Sequence, residues 1–184
     1  MKDLNNYSIA ILATNGFEQV ELTVPLEKFR EAGATVHVVS PEQDSIKGWD
    51  EDHWGDTVPV DKGLSAANPG DYDALVLPGG QINPDILRTN GDAIKFIEAF
   101  AKADKPVAAI CHAPWLLIEA GLAEGRMLTS FPSIRTDLRN AGANVVDQPA
   151  VTDRNVITSR NPDDLDAFCD TIADTLTRTG GQAT

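Results

Sequence analysis

The sequence is poor in cysteine and in basic residues, and it has no long hydrophobic run. Only two of its 184 residues are cysteines, too few for a disulfide framework, and no Cys-x-x-Cys pair or Cys/His cluster predicts a metal site. Lysine and arginine number 15 against 28 acidic residues, for a formal net charge of −13. Because phosphate binding requires a basic footprint, nucleic acid is excluded as the main partner.

Targeting and cofactor-binding signals are also missing. The apolar run at residues 9–13 is too short for a signal peptide, and polar residues follow it. No segment approaches the length of a membrane span. The glycines lack the spacing of a dinucleotide or P-loop fingerprint. We therefore expect a cytoplasmic protein with reduced thiols, no cofactor and no membrane contact, whose acidity serves solubility.

Short apolar runs alternate with amphipathic segments. The runs SIAILAT, DYDALVLPGG and PVAAIC predict buried strands, and GDAIKFIEAFAKAD predicts a helix. This alternation predicts an α/β fold with a mostly parallel sheet and helices on both faces, in a single domain over residues 1–184. The segment IKGWDEDHWGDTVPVD interrupts the alternation and is typical of a β-hairpin. The final RTGGQAT is expected to fray.

Cys111 is the best candidate for a reactive group. Ligands of open α/β sheets bind beyond the carboxyl ends of the strands, and Cys111 ends a strand just before a helical pattern. A helix N-terminus lowers a thiol pKa and stabilises the thiolate. The alternative is a buried, inert cysteine. Cys169, on the closing helix, is expected to lie in the core.

His112 and Glu18 are the candidate partners of Cys111. Adjacent residues on a helix do not face one another, so His112 can act as a base only if the turn is strained or an outside acid orients it. Glu18 follows the first strand, and beside a thiolate it could stay protonated and donate a hydrogen bond to sulfur. Alternatively, Glu18 and Glu21 simply begin a helix, where the dipole favours carboxylates.

Gly79 and Gly80 follow the third strand. A glycine pair permits unusual backbone angles and close approach to a ligand. It forms either an ordinary turn or an oxyanion site opposite Cys111, to which the backbone N–H of His112 could also contribute.

Taken together, these segments resemble the PfpI family of intracellular proteases and deglycases, within the class I glutamine amidotransferase-like superfamily. The match runs nearly end to end and includes GFEQVEL, DALVLPGG, KPVAAICHAPWLLIEAGL, GRMLTSFPSIRTDLRNAGA and NVITSRNPDDLDAF. The resemblance implies a flavodoxin-like three-layer sandwich with Cys111 on a nucleophile elbow and Glu18 against its sulfur. It also implies an oxyanion site from Gly79, Gly80 and the His112 backbone.

The resemblance further implies a triad completed by a second subunit. In PfpI-like proteins the acid that orients the histidine comes from the neighbouring chain, and the matching position here is Asp85 in GGQINPDILR. Most relatives have glutamate there, and this chain carries one extra residue before it. The active unit is then expected to be a homodimer, or a hexamer built from dimers.

The function implied by the resemblance is that of a stress-response cysteine hydrolase. Its substrates would be glyoxal- or methylglyoxal-derived adducts of proteins or nucleotides, as for a deglycase, or peptides, as for an intracellular peptidase. We favour small carbonyl adducts because they fit a tight elbow pocket. The alternatives are a non-catalytic sensor of oxidative stress, acting through oxidation of Cys111, and a holdase chaperone.

Overall fold

The structure is a computed structural model that describes residues 1–179, so most of the expectation for the tail lies outside the described residues. The strands are β1 (Ser8–Leu12), β2 (Phe17–Glu18), β3 (Thr35–Ser40), β4 (Ser45–Asp50), β5 (His53–Pro59), β6 (Lys62–Gly63), β7 (Ala74–Leu77), β8 (Val107–Ile110), β9 (Met127–Leu128), β10 (Asn144–Val145), β11 (Ala150–Asp153) and β12 (Val156–Ser159). The α-helices are α1 (Gln19–Glu31), α2 (Ile82–Leu87), α3 (Gly91–Lys102), α4 (Pro114–Glu119), α5 (Arg135–Asn140) and α6 (Leu165–Thr179).

A seven-stranded sheet forms the centre of the molecule, in the order β11-β12-β8-β7-β1-β3-β6. Its neighbouring strands are parallel except for β11, which runs antiparallel to β12. The predicted mostly parallel sheet is confirmed. Since β1, β7 and β8 are adjacent and parallel, their carboxyl ends meet at one edge, which is where the sequence predicts the site.

Both faces of the sheet are covered, which explains why the strands are continuously apolar. In β1, Ile9 and Ile11 enter the core shared with Phe168 of α6, whereas Ala10 and Leu12 enter the core shared with Phe96 of α3. Successive side chains of a strand point to opposite faces, so a strand buried on both sides has no polar alternation. The three-layer sandwich is confirmed.

The predicted hairpin is also present, and it packs beside the end of β1. Strands β4 and β5 pair antiparallel, and β2 joins them in a small second sheet with Glu18 opposite Trp49. Because residues 17–18 pair with β4, helix α1 begins only at Gln19. The short helix α2, just after the Gly79-Gly80 turn, was not predicted. Strands β9 and β10 form a separate parallel pair.

Candidate active site

Cys111 occupies a strained turn at the end of β8. Its φ angle is 64°, in the left-handed region that non-glycine residues seldom adopt. Two backbone hydrogen bonds hold the turn: the N–H of Cys111 donates to Ser159 O at 3.1 Å, and Cys111 O accepts from the N–H of Phe131 at 2.9 Å. Such strain persists only where the surroundings enforce it, and here it gives the geometry of a nucleophile elbow.

The strained turn brings the two neighbouring side chains together. Cys111 Sγ lies 3.1 Å from His112 Nδ1, so the strained turn, the first of the two conditions under which His112 could act as a base, is present. The imidazole ring stacks on Phe131 with ring centroids 4.7 Å apart, and its Nε2 lies 3.1 Å from Ser133 Oγ. Burial lowers the pKa of His112, so the neutral ring can accept a proton at Nδ1 while Nε2–H donates to Ser133.

Glu21, and not Glu18, is the carboxyl group against the cysteine. Its side chain is fully buried, its Oε2 accepts the Gly79 N–H at 2.8 Å, and it interacts directly with the Cys111 thiol. Its Oε1 has no other hydrogen-bond partner among the described residues. Burial raises the pKa of Glu21 to about 8 against the opposing effect of the Gly79 N–H, so at pH 7 this group is mostly a neutral acid.

The expectation for Glu18 is therefore corrected. Glu18 lies in β2 before the helix, half-buried, and its carboxylate has no hydrogen bond or ion pair with the described residues. Glu21 lies in the first turn of α1, and helical side chains lean towards the N-terminus of their helix, which carries its carboxyl group to the elbow. The sequence predicted a protonated carboxyl group beside the thiol, and the structure places Glu21, not Glu18, in that position.

The environment of the thiol also differs from the expectation. Burial, followed by the charge of Glu21, raises the pKa of Cys111, while the backbone N–H groups of Gly80 and His112 oppose that rise. The predicted lowering by the helix N-terminus does not dominate because Cys111 is only 6% exposed and α4 is short. Since two like charges in one buried site repel, the Cys111–Glu21 pair carries at most one negative charge near neutral pH.

Gly79 and Gly80, in the turn after β7, contribute differently to the site. A Cβ at Gly79 would lie 2.6 Å from Glu21 Oε2 and 2.7 Å from Cys111 Cβ, so only glycine lets these groups meet. Gly80 has a φ of 75°. The Gly79 N–H donates to Glu21, whereas the N–H groups of Gly80 and His112 are directed at the sulfur of Cys111.

Ser133 lines the site and Asn83 supports the turn behind it, and neither residue was identified from the sequence. Asn83 is fully buried: its Oδ1 accepts the Thr14 N–H at 2.8 Å, and its Nδ2 donates to Pro78 O at 2.9 Å and Gly79 O at 3.2 Å. It thereby joins the ends of β1 and β7. The sequence pattern does not identify Asn83 or Ser133, because the hydrogen bonds of both side chains depend on loop conformation.

Asp85 lies away from His112 within one chain. It is an exposed residue of α2, beside a second cavity of about 370 Å³ that is also lined by Ile82, Ile86 and Trp115. The described residue that contacts His112 Nε2 is Ser133. The predicted triad is thus not formed inside a single subunit, and contact across subunits stays a prediction.

A cavity of about 390 Å³ opens in front of Cys111. Glu18, Glu21, Trp49 and Glu51 lie on its lining beside the elbow, and no lysine or arginine of the described residues does. Within residues 1–179, no group of three or more His, Cys, Asp or Glu side chains is placed to hold a metal ion. The same part of the chain has no helix long and apolar enough to span a membrane.

A cysteine on a strained elbow above a parallel sheet, with a histidine at 3.1 Å and a buried acid beside it, defines an α/β protein with a cysteine-centred candidate site. The chain belongs to the DJ-1/PfpI family, whose sequence profile matches residues 7–175. The predicted family is confirmed.

Individual relatives agree with the family assignment. The chain is 44% identical over 160 residues to "Putative cysteine protease YraA" of Bacillus subtilis, which covers 87% of this chain and 92% of that protein. A two-domain protein of Anabaena variabilis with DJ-1/ThiJ/PfpI-like and ferritin-like domains matches with a TM-score of 0.87 and 35% identity, over 95% of this chain and 48% of that one. Drosophila melanogaster DJ-1beta matches with a TM-score of 0.84 and 29% identity, over 96% and 91% of the two chains.

Proposed function

We propose that this protein is a cysteine-dependent hydrolase of early glyoxal and methylglyoxal adducts, that is, a deglycase. The observation that carries the proposal is the arrangement around Cys111: a neutral imidazole at 3.1 Å on one side, and a protonated carboxyl group and two backbone N–H groups on the other. A base that accepts the thiol proton and donors that stabilise the resulting charge are what covalent thiol catalysis requires.

The strength of the base favours a reactive carbonyl-derived substrate over a peptide bond. Within one chain, His112 is held by the hydroxyl of Ser133, which stabilises an imidazolium less than a carboxylate does. A peptide amide is a poor electrophile with a poor leaving group, whereas the carbon of an amine–aldehyde adduct is readily attacked. The cavity of about 390 Å³ has room for a three-carbon group together with part of the amine that carries it.

The reaction balances without an external oxidant or reductant. His112 takes the Cys111 proton, and sulfur displaces the amine from its methylglyoxal adduct: a C–S bond forms, the C–N bond breaks, and the amine leaves with a proton. A proton shift within the bound three-carbon unit oxidises the former aldehyde carbon and reduces the ketone carbon, giving a thioester. Water then releases lactate and restores the thiol. The N–H groups of Gly80 and His112 would bind the oxygen that develops negative charge.

The test is a substrate panel run on the wild type and on Cys111→Ala, with Cys169→Ala as the matched control because Cys169 is fully buried in the core. The panel contains methylglyoxal, glycated amino acids, a glycated nucleotide and unfolded casein. We expect turnover of carbonyl substrates in the wild type and in Cys169→Ala and its loss in Cys111→Ala. Turnover retained in Cys111→Ala would overturn the proposal, and cleavage of casein alone would identify a peptidase instead. Oxidation confined to Cys111 without any turnover would favour the oxidative-stress sensor.

We also propose that the active unit is a homodimer, or a hexamer of dimers, in which Asp85 of the partner subunit approaches His112. The support is the surface of α2, where Ile82 and Ile86 are 38% and 45% exposed next to Trp115 and Asp85. A contiguous apolar patch of this kind marks an interaction surface. Ile86→Asp is expected to yield monomers in sedimentation, whereas a substitution at the exposed Asp92, Asp92→Asn, is not.

Mixed dimers test whether Asp85 acts across the interface. Asp85→Asn and Cys111→Ala are each expected to have low activity alone. When the two variants are mixed and allowed to exchange subunits, half of the sites in each hybrid combine an intact Cys111 with an intact Asp85 from the other chain. Recovery of activity on mixing supports the shared site, and absence of recovery in verified hybrids excludes it.

We place this activity in the cytoplasm, where thiols such as these two free cysteines stay reduced.

A further inference from the structure

One short stretch of chain, residues 131–135, contacts the His112 ring twice, and we call it the Ser133 segment. Phe131 stacks on the imidazole, and Ser133 Oγ lies 3.1 Å from Nε2. Ser133 is itself exposed, so burial of its side chain does not fix the position of the hydroxyl. A hydroxyl that accepts from Nε2–H keeps Nδ1 free to take the Cys111 proton. The placement of the Ser133 segment therefore decides how well His112 can act as a base.

Arg135 ties the Ser133 segment to a neighbouring loop. It is the last residue of the segment and the first of α5, and its Nη2 donates to Asp147 Oδ1 at 2.8 Å. The Nε of Arg135 is buried and has no hydrogen-bond partner within residues 1–179. A partly buried guanidinium costs free energy unless it is paired, so the hydrogen bond to Asp147 compensates for the burial of this side chain.

Asp147 also holds the strand end that supports the nucleophile. It lies between β10 and β11, and the same Oδ1 accepts from Arg160 Nη1 at 2.9 Å. Arg160 directly follows Ser159, whose carbonyl oxygen accepts the Cys111 N–H at 3.1 Å. Asp147 thus joins the Ser133 segment to the end of β12, and the two elements contact opposite members of the Cys-His pair.

The charge of Asp147 is what makes this link. Hydrogen bonds from Arg160 and then from Arg135 lower the pKa of Asp147, so its carboxylate stays ionised near neutral pH. Arg160 is also paired with Asp164 through hydrogen bonds of 2.8 and 2.9 Å, whereas among the described residues Asp147 is the acid that pairs with Arg135. Because both guanidinium groups donate to one oxygen, removal of Asp147 would leave two neighbouring positive charges that repel one another.

We propose that Asp147 is a positioning residue for His112. By holding Arg135 beside Arg160, it keeps the Ser133 hydroxyl against Nε2 and leaves Nδ1 ready to accept the thiol proton. Asp147 acts from outside the cavity, since it is not among the residues that line it. The catalytic meaning of this role rests on the proposed hydrolase function, because a base is needed only if Cys111 is a nucleophile.

The first experiment measures the rate of Cys111 alkylation by iodoacetamide at neutral pH, followed by peptide mass spectrometry, and it needs no turnover. We expect Asp147→Ala to slow the reaction about two- to fivefold, in line with the modest strength of exposed ion pairs. Asp147→Glu keeps the charge and should restore most of the rate. Asp166→Ala, which removes an exposed ion pair with Lys28, is the matched control and should react as the wild type does. An unchanged or faster rate in Asp147→Ala would overturn the proposal.

A double-mutant cycle tests whether Asp147 acts through Ser133. In a Ser133→Ala background, Asp147→Ala is expected to cause no further loss of alkylation rate. An equal further loss in that background would mean that Asp147 only supports the fold, and it would overturn the positioning role.

The tautomer of His112 gives a direct spectroscopic readout. The chain has three histidines, and long-range proton–nitrogen NMR spectra of labelled protein distinguish a proton on Nδ1 from one on Nε2, with His112→Gln identifying the signals. We expect the Nε2–H form in the wild type and a mixture of both tautomers in Asp147→Ala. A wild-type His112 spectrum in Asp147→Ala would show that Asp147 does not position the ring.

Turnover of methylglyoxal separates this proposal from the proposed function. We expect kcat/KM to fall in Asp147→Ala by the factor seen in alkylation. Slower alkylation and an altered tautomer in Asp147→Ala, without turnover even in the wild type, would overturn the proposed function and leave the positioning role intact. Turnover that depends on Cys111 but is identical in the wild type and Asp147→Ala would overturn the positioning role and leave the proposed function intact.

Discussion

At the scale of single residues, Cys111 and Glu21 have to be treated as one unit. Both are buried; Glu21 raises the pKa of Cys111, the hydrogen bond from Cys111 lowers the pKa of Glu21, and the Gly79 and Gly80 N–H groups act on the pair as well. A proton held by Glu21 lets it donate to sulfur when the thiolate forms, whereas an ionised Glu21 opposes thiolate formation. The Cys111 thiol is therefore paired with Glu21, three residues from Glu18, the acid that the sequence favoured because it follows β1.

Glu21→Gln is expected to shift the titration of Cys111 to lower pH, because it removes the carboxylate charge that raises the thiol pKa while keeping the size of the side chain. The thiolate absorbance near 240 nm reports the titration. This variant and its control are made in a Cys169→Ala background, because burial raises the pKa of Cys169 as well and its titration would overlap that of Cys111. Glu18→Gln is the matched control and should shift the curve much less. Superimposable curves for the two variants would show that Glu21 does not act on the sulfur.

Asn83→Ala is expected to destabilise the protein by about 1–3 kcal/mol, because it leaves the buried Thr14 N–H and Pro78 O without their partners. Urea denaturation gives the free energy of unfolding. Asn140→Ala, at an exposed site on α5, serves as the control and should have little effect. A loss of less than about 0.5 kcal/mol at Asn83, the usual range for surface sites, would mean that water replaces these hydrogen bonds.

At the scale of elements, the β7 turn determines how closely three segments approach. Gly79 lies where β7, α1 and the Cys111 elbow meet, and a Cβ there would contact the backbone oxygen of Ile110 at 2.7 Å. Gly79→Ala is expected to reduce the free energy of unfolding by about 1–3 kcal/mol through overpacking and to slow alkylation of Cys111 by displacing Glu21. At Gly91 the added methyl group has open space, so Gly91→Ala should preserve both properties. A Gly79→Ala variant whose Cys111 is alkylated at the wild-type rate would show that the β7 turn can widen without displacing Glu21.

The packing of these elements also explains which features of the fold and the site could be predicted from the sequence. Runs such as PVAAIC predict strands because both faces of the sheet are buried. The strand predicted from PVAAIC places Cys111 at the edge of the sheet where the carboxyl ends of the strands meet, as in the structure. The choice between Glu18 and Glu21 could not be made, since it depends on whether residues 17–18 join the helix or pair with β4, a long-range contact. Ser133 was beyond prediction for the same reason: its 3.1 Å approach to His112 is set by a short turn that packs from another part of the chain.

At the scale of the whole molecule, the buried acid makes stability depend on pH. The pKa of Glu21 is about 8 in the folded state and near the ordinary 4.5 when unfolded. Between these values the folded state binds more protons, so the contribution of Glu21 is fully present below pH 4.5 and is lost as pH rises through 8. The slope reaches at most about 1.4 kcal/mol per pH unit.

Glu21→Gln should therefore flatten the decline of unfolding free energy between pH 5.5 and about 8.5, as measured by urea denaturation at several pH values. Glu18→Gln should flatten it less, because Glu18 is only half-buried. Parallel curves for the wild type and Glu21→Gln would indicate that Glu21 titrates as an ordinary surface carboxyl group.

The backbone of Cys111 has a consequence for the history of the sequence. A φ of 64° disfavours every side chain except glycine by about 1–2 kcal/mol, so selection for stability alone would replace this cysteine. A lineage that no longer used the thiol would be relieved of this backbone cost by glycine at position 111. Under the proposed thiol chemistry, cysteine is retained here despite the backbone cost, and a descendant that has lost the chemistry should be recognisable from this one position.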